Sequence, residues 1–197
     1  MTIKVVLVDL AGVLFEFDHE HRLRVLGACL GLPPDRTDAL LWESGFSADC
    51  DAGVYPDAAA VRREIRRITG YRGADDDLDA AWCSAFRPDA AVVDLVARRS
   101  GAADFAVFTN NGPLEEEVLP RLHPDAFRPF RHRFFCYRLG ANKPDPAAYR
   151  RVTELLGARP EQIGFADDSD ENAAGARACG WQAVRFRALP DLAGLIP

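Results

Sequence analysis

The segment Val5-Val6-Leu7-Val8-Asp9-Leu10 constrains the fold of this chain more than any other stretch. Five of its six residues are apolar, and no polar residue alternates with them. A strand with one wet face alternates. A strand covered on both faces does not, and such strands belong to parallel sheets. The run stops at Ala11-Gly12, and its one carboxylate, Asp9, stands near that stop. A lone charge is tolerable where a strand leaves the core, so Asp9 belongs at the mouth of a buried strand.

Four more apolar runs end in polar residues, at Phe105–Asn110, Arg133–Tyr137, Ile163–Asp168 and Gln182–Phe186. Between them, Leu114–Leu122, Pro146–Leu156 and Asn172–Cys179 repeat apolar residues every three or four positions. Buried strands alternating with helices predict a doubly wound α/β fold, a parallel five-stranded sheet with helices on both faces. Pro113 and Pro144 suit first helical turns, and Gly157 and Gly180 suit helix ends. From about residue 16 the rhythm changes. Helices are expected at about 19–31, 34–44, 56–69 and 75–86, with the acidic run Asp75-Asp76-Asp77 at a helix N-terminus and no strand. The expected organisation is a core of residues 1–15 and 88–197, with residues 16–87 as a small helical domain inserted after the first strand.

With 197 residues, 48% of them hydrophobic and 27% charged, the chain can bury a real core. A net charge of -6 argues against a sequence-independent grip on nucleic acid or an anionic membrane. No apolar run is long enough to span a bilayer and no charged leader precedes the first strand, so a cytoplasmic protein is expected. The five cysteines, Cys29, Cys50, Cys83, Cys136 and Cys179, are odd in number and widely spaced, which reads as reduced thiols. Of 24 basic residues Lys4 and Lys143 alone are lysine, so Lys143 stands out.

In an open parallel sheet the carboxyl ends of the strands share one edge, where ligands sit. That edge collects Asp9, Thr109-Asn110, Lys143 and Asp167-Asp168. Any one of these could be a helix cap. Together, in this order, they form a site.

The four segments resemble the four motifs of the haloacid dehalogenase-like superfamily, most of whose members are magnesium-dependent phosphatases. VVLVDLAGVLF resembles the first motif, VFTNNG the second, GANKPDPAAY the third and IGFADDSDENAAGARACGW the fourth. Many members carry a helical cap where this chain has its expected insert. The resemblance implies a Rossmann-like core and a small phosphorylated metabolite as substrate. It implies that Asp9 is the nucleophile, forming an aspartyl phosphate, and that Thr109 and the Asn110 backbone hydrogen-bond phosphoryl oxygens. It further implies that Lys143 neutralises charge shared between Asp9 and phosphate. Asp168 would bind Mg2+ directly with Asp9 and the Ala11 backbone carbonyl, and Asp167 would be a further ligand or an anchor behind it. The chemistry is consistent. A carboxylate attacking a phosphate dianion needs imported positive charge, which a lysine and a hard divalent ion supply.

Ala11 departs from the pattern. Most phosphatases of the superfamily have a second Asp there, as general acid and base, and Ala11 cannot transfer a proton. Phosphonoacetaldehyde hydrolases share the alanine but need a cap lysine, and residues 16–87 contain none. Haloacid dehalogenases also lack the second Asp but keep no Asp-Asp pair like Asp167-Asp168. A dehalogenase and a binding protein that has lost turnover stay open as alternatives, beside a third group of cap-bearing phosphatases with a small residue at this position. Glu16, Asp18, His19 and His21 are the candidates for a substitute proton donor, although polar residues at a helix start are the plainer reading. His123 and His132 lie outside every motif and read as surface residues. Trp42, Phe46 and Tyr55 read as core aromatics of the insert, with a substrate pocket as the alternative.

Overall fold

A computed structural model describes residues 2–197. The strands are β1 (Val5–Val8), β2 (Phe15–Phe17), β3 (Phe86–Pro88), β4 (Asp104–Thr109), β5 (Phe130–Phe135), β6 (Ile163–Asp167) and β7 (Gln182–Arg185). Five of them form one parallel sheet in the order β5-β4-β1-β6-β7. The central strand β1 is buried along its whole length, as its unbroken apolar run requires. Its side chains alternate between two cores. Val6 and Val8 join one cluster, and Val5 and Leu7 join another with Phe108, Tyr149, Phe165 and Trp181. The chain moves from β1 outward through β4 to β5, then returns to the other side of β1 with β6 and β7. The reversal leaves a crevice at the carboxyl end of β1.

The helices after β3 include α6 (Ala90–Arg99), α7 (Pro113–Leu122), α8 (Pro124–Phe127), α9 (Cys136–Leu139), α10 (Pro146–Leu156) and α11 (Asp170–Ala178). Pro113 opens α7, as expected. Pro144 does not open a helix: α10 starts at Pro146, capped by the Asp145 side chain. Gly157 ends α10 in the left-handed conformation, which a residue without Cβ adopts freely.

Between β2 and β3 lie α1 (His19–Leu30), α2 (Pro34–Asp38), α3 (Phe46–Asp51), α4 (Ala58–Thr69) and α5 (Asp75–Trp82). A π-helical turn, Ala39–Glu43, continues α2, and a short 3₁₀ turn, Cys83–Ala85, follows α5. Three expectations need correction here. Residues 16–86 carry no strand pattern, yet β2 and β3 pair antiparallel at the two ends of that stretch, Phe15 opposite Pro88 and Phe17 opposite Phe86. Three-residue strands are too short to show a period of two. Helix α3 was not expected, because Phe-Ser-Ala-Asp-Cys-Asp carries little helical signal. The third strand of the sheet is Phe130–Phe135 rather than Arg133–Tyr137, and Cys136–Leu139 turns helical.

Trp42, Phe46 and Tyr55 pack as core. Trp42 stacks on Trp82 at 5.2 Å, and Phe46 lies 5.3 Å from Tyr55. Polar links fasten these helices to α7. Arg62 donates to Glu117 at 2.7 Å, Arg121 to Asp76 and Asp79 at 2.6 Å each, and Trp82 Nε1 to Glu115 at 2.7 Å. The five cysteines are unpaired. No helix among the described residues is long and apolar enough to cross a membrane.

Candidate active site

The sheet register decides which side chains meet. Val8 of β1 is level with Val107 of β4 and Ala166 of β6. One residue further, the Asp9 N–H donates to the Ala166 carbonyl at 3.0 Å, and Asp9 comes beside Asp167. Thr109 ends β4, one step past Phe108. The expected strand-end residues therefore share one edge.

Lys143 joins them from the loop before α10. Its side chain is 1% exposed, and Nζ lies 3.1 Å from Asp9 Oδ1 and 2.6 Å from Asp167 Oδ2. Nζ also donates to the Phe108 carbonyl at 2.9 Å and sits 5.1 Å from the ring centres of Phe108 and Phe165. Aromatic faces and two carboxylates thus replace the water an ammonium loses on burial. Burial alone would lower the Lys143 pKa, but Asp9 and Asp167 outweigh it and hold the ammonium charged.

Asparagines fix this arrangement. Asn110 Nδ2 donates to the Lys143 carbonyl at 3.0 Å and Asn110 Oδ1 accepts the Lys143 N–H at 2.9 Å, so the end of β4 clamps the lysine loop. Thr109 Oγ1 donates to Asn111 Oδ1 at 2.7 Å. Asp167, fully buried, accepts from Lys143, from the Ser169 N–H at 2.9 Å and from Asn172 Nδ2 at 3.0 Å. Ser169 caps α11, the helix that carries Asn172. The clamp by the Asn110 side chain and the role of Asn111 do not follow from the sequence, because each depends on how two loops meet.

Burial pushes the Asp9 carboxyl up to about 6; Lys143 opposes the shift and Asp167 adds to it. The carboxyl also accepts the Leu10 N–H at 2.8 Å. Asp168 is the solvent-exposed member of the pair, and its pKa is raised by partial burial and by Asp167. One carboxylate oxygen from each of Asp9, Asp167 and Asp168 falls within a 4.8 Å cluster. Gly12 makes room for it. At φ +74°, a Cβ on Gly12 would lie 2.6 Å from Asp168 Oδ2. Three hard oxygen donors at the open end of a cleft, one exposed, are a donor set that fits Mg2+.

The candidates for a substitute proton donor are not gathered here. Asp18 caps α1 through the His21 N–H at 2.8 Å, and Glu16 pairs with Arg87. His19 is held between Arg22 at 2.9 Å and Asp38 at 3.5 Å, while His21 is exposed on the first turn of α1. His123 packs 5.4 Å from the buried Phe15 ring, and His132 is exposed on β5.

The family model for haloacid dehalogenase-like hydrolases matches residues 3–180. The chain belongs to that family. It is therefore a haloacid dehalogenase-like hydrolase, and solved members share its fold. A family enzyme from Bacteroides thetaiotaomicron, in complex with magnesium and inorganic phosphate, is 23% identical. The alignment covers 94% of this chain and 95% of that one, with a TM-score of 0.78. A predicted family hydrolase from Porphyromonas gingivalis is 21% identical over 93% of this chain and 91% of its own, with a TM-score of 0.75. The L-2-haloacid dehalogenase of Xanthobacter autotrophicus is 20% identical, covers 95% and 79% of the two chains, and has a TM-score of 0.65. No curated protein matches this hydrolase in sequence.

Proposed function

We propose that this hydrolase is a magnesium-dependent phosphatase that cleaves a small phosphomonoester through an aspartyl phosphate on Asp9. The observation that carries the reading is the buried Lys143 ammonium between Asp9 and Asp167, beside the three-carboxylate cluster. Asp9 attacks phosphorus, and the bond to the leaving oxygen breaks. The Thr109 hydroxyl and the Asn110 backbone N–H bind phosphoryl oxygens, and Lys143 offsets charge on Asp9 and the phosphoryl group. Asp9, Asp168 and the Ala11 carbonyl would hold Mg2+, with Asp167 keeping Lys143 and the α11 loop in place. The bound ion would supply positive charge against the phosphate dianion. Water then attacks the aspartyl phosphate and frees inorganic phosphate and Asp9.

Residues 16–87 act as a cap over this edge. A net charge of -6 and unpaired thiols favour a cytoplasmic metabolite as substrate over nucleic acid or membrane. Dehalogenation is the weaker reading, since it leaves the clustering of Asp168 with Asp9 without a purpose. The test is phosphate release from a broad panel of phosphorylated metabolites, with Mg2+ and with excess chelator. Asp9→Asn, nearly isosteric, is expected to lose at least about 10³-fold in turnover, because a covalent nucleophile is gone. Turnover within about tenfold of wild type would reassign the nucleophile.

A further inference from the structure

The neighbouring carboxylates Asp167 and Asp168 are held in different ways. Asp167 is pinned through its side chain, by Lys143, the Ser169 N–H and Asn172. Asp168 is exposed, and its carboxylate lies against Gly12, where a Cβ would come within 2.6 Å of it. Magnesium demands near-ideal octahedral geometry, so a side chain that binds it has to be held to within about 0.5 Å. For a residue on an exposed loop, that precision has to come through the backbone.

The sheet alone does not reach far enough. Strands β6 and β7 run level as far as Asp167 opposite Arg185, and the Phe186 N–H donates to the Asp167 carbonyl at 2.8 Å. There β6 ends, and Asp168 begins the turn into α11. The Arg185 side chain takes over where the ladder stops. Its Nε donates to the Asp168 carbonyl at 3.1 Å, and its Nη1 donates to Asp170 Oδ2 at 3.0 Å. Asp168 and Asp170 flank Ser169, which caps α11. One guanidinium on β7 therefore bridges the loop and the first residue of the helix. As an ion pair this bridge adds little to stability, because Arg185 is 44% exposed and Asp170 62%. Its geometry is what sets it apart: a planar guanidinium meets two acceptors at fixed angles, and a lysine ammonium does not.

We propose that Arg185 is a positioning residue for the metal site. It fixes the Asp168 backbone so that the Asp168 carboxylate stays clustered with those of Asp9 and Asp167. The inference rests on the phosphatase reading in one respect, that Asp168 is a ligand of Mg2+. Arg185 acts through Asp168 and not on the substrate. Its charge works against its geometry. A cation beside the site repels Mg2+, whereas the bridge favours binding by holding the ligand in place. Replacing the arginine therefore changes the two contributions in opposite directions, and the sign of the result tells them apart.

The experiment measures Mg2+ affinity by calorimetry, without substrate, for wild type, Arg185→Met, Arg185→Lys and Asp168→Ala. Arg185→Met removes the charge and the bridge together. Arg185→Lys keeps the charge and removes the fork. Both are expected to weaken Mg2+ binding by about tenfold or more, the size usual for groups that orient a metal ligand. If Arg185 acted by charge alone, Arg185→Met would bind Mg2+ more tightly and Arg185→Lys would match wild type. Either result overturns the proposal. Variants that melt lower while their Mg2+ affinity is unchanged give Arg185 a purely structural role, and overturn it too. Asp168→Ala separates the inference from the reading beneath it. If Asp168→Ala binds Mg2+ as wild type does, Asp168 is no ligand, and the metal assignment falls together with the inference. If Asp168→Ala loses affinity and both arginine variants keep it, the inference alone fails.

Discussion

Lys143→Met removes the ammonium at the centre of the site and keeps the length of the side chain. At an effective dielectric constant of about 20, charges 3.1 Å and 2.6 Å from Asp9 and Asp167 attract the ammonium by roughly 5 and 6 kcal/mol. Desolvation offsets much of this, but losing one partner of a buried pair still costs about 3–5 kcal/mol, because the survivors stay buried and unpaired. For a chain of this size that lowers Tm by roughly 10 °C. Here the survivors are two carboxylates, Asp9 at 8% and Asp167 at 0% exposure. Each now faces a like charge with no cation between them. Adding Asp167→Asn removes one of them while Oδ1 can still accept from Ser169. The double variant is therefore expected to be more stable than Lys143→Met alone by about 1–2 kcal/mol, a coupling typical of residues in direct contact. Activity is expected to stay lost in both, which separates stability from chemistry. Thermal unfolding of wild type, both single variants and the double variant, without added metal, provides the cycle. A Lys143→Met protein that melts within about 2 °C of wild type, or a double variant that melts no higher than it, would refute the account of Lys143 as the charge that makes the site foldable.

Two further outcomes follow from the same geometry. Gly12→Ala places a Cβ 2.6 Å from Asp168 Oδ2 at φ +74°, so Mg2+ affinity by calorimetry is expected to fall at least about tenfold with a strain of about 1–2 kcal/mol, and unchanged affinity would refute the packing argument. The Asp9 carboxyl, raised to about 6 in the metal-free protein, holds a proton below that pH, and proton and metal compete for it. Mg2+ affinity is therefore expected to fall as pH drops through 6, approaching about tenfold per unit, and an affinity that is flat from pH 7 to pH 5 would show that Asp9 is not a ligand.

The sequence made the sheet legible where strands are buried on both faces, because β1 and β6 read as unbroken apolar runs ending in carboxylates. It misplaced β5, an edge strand whose exposed Arg131, His132 and Arg133 hide the start, while Phe134-Phe135-Cys136-Tyr137 pulls the reading forward. Asp9, Thr109, Lys143 and Asp168 were legible as strand-end chemistry in a fixed order. Their supports were not. Asn110 meets Lys143 across 33 positions, where the end of β4 comes against the loop before α10. No local periodicity encodes such meetings.

The strand order also has a consequence in time. A ribosome makes β1 before either of its partners, yet β1 is the centre of the sheet and pairs with β4 on one side and β6 on the other. Val8 and Ile163 are 155 positions apart, so at about 5–20 residues per second the second partner arrives roughly 10–30 s after the first strand. During that interval Val5-Val6-Leu7-Val8 is an unpaired apolar segment, and the helices between β2 and β3 are complete long before the sheet can close. The order of synthesis therefore favours the helices between β2 and β3 as the first unit to condense, with the nascent β1 sheltered by whatever apolar surface they offer. The edge that gathers Asp9, Thr109, Lys143 and Asp168 can form only once residue 168 has been made, long after the helices between β2 and β3.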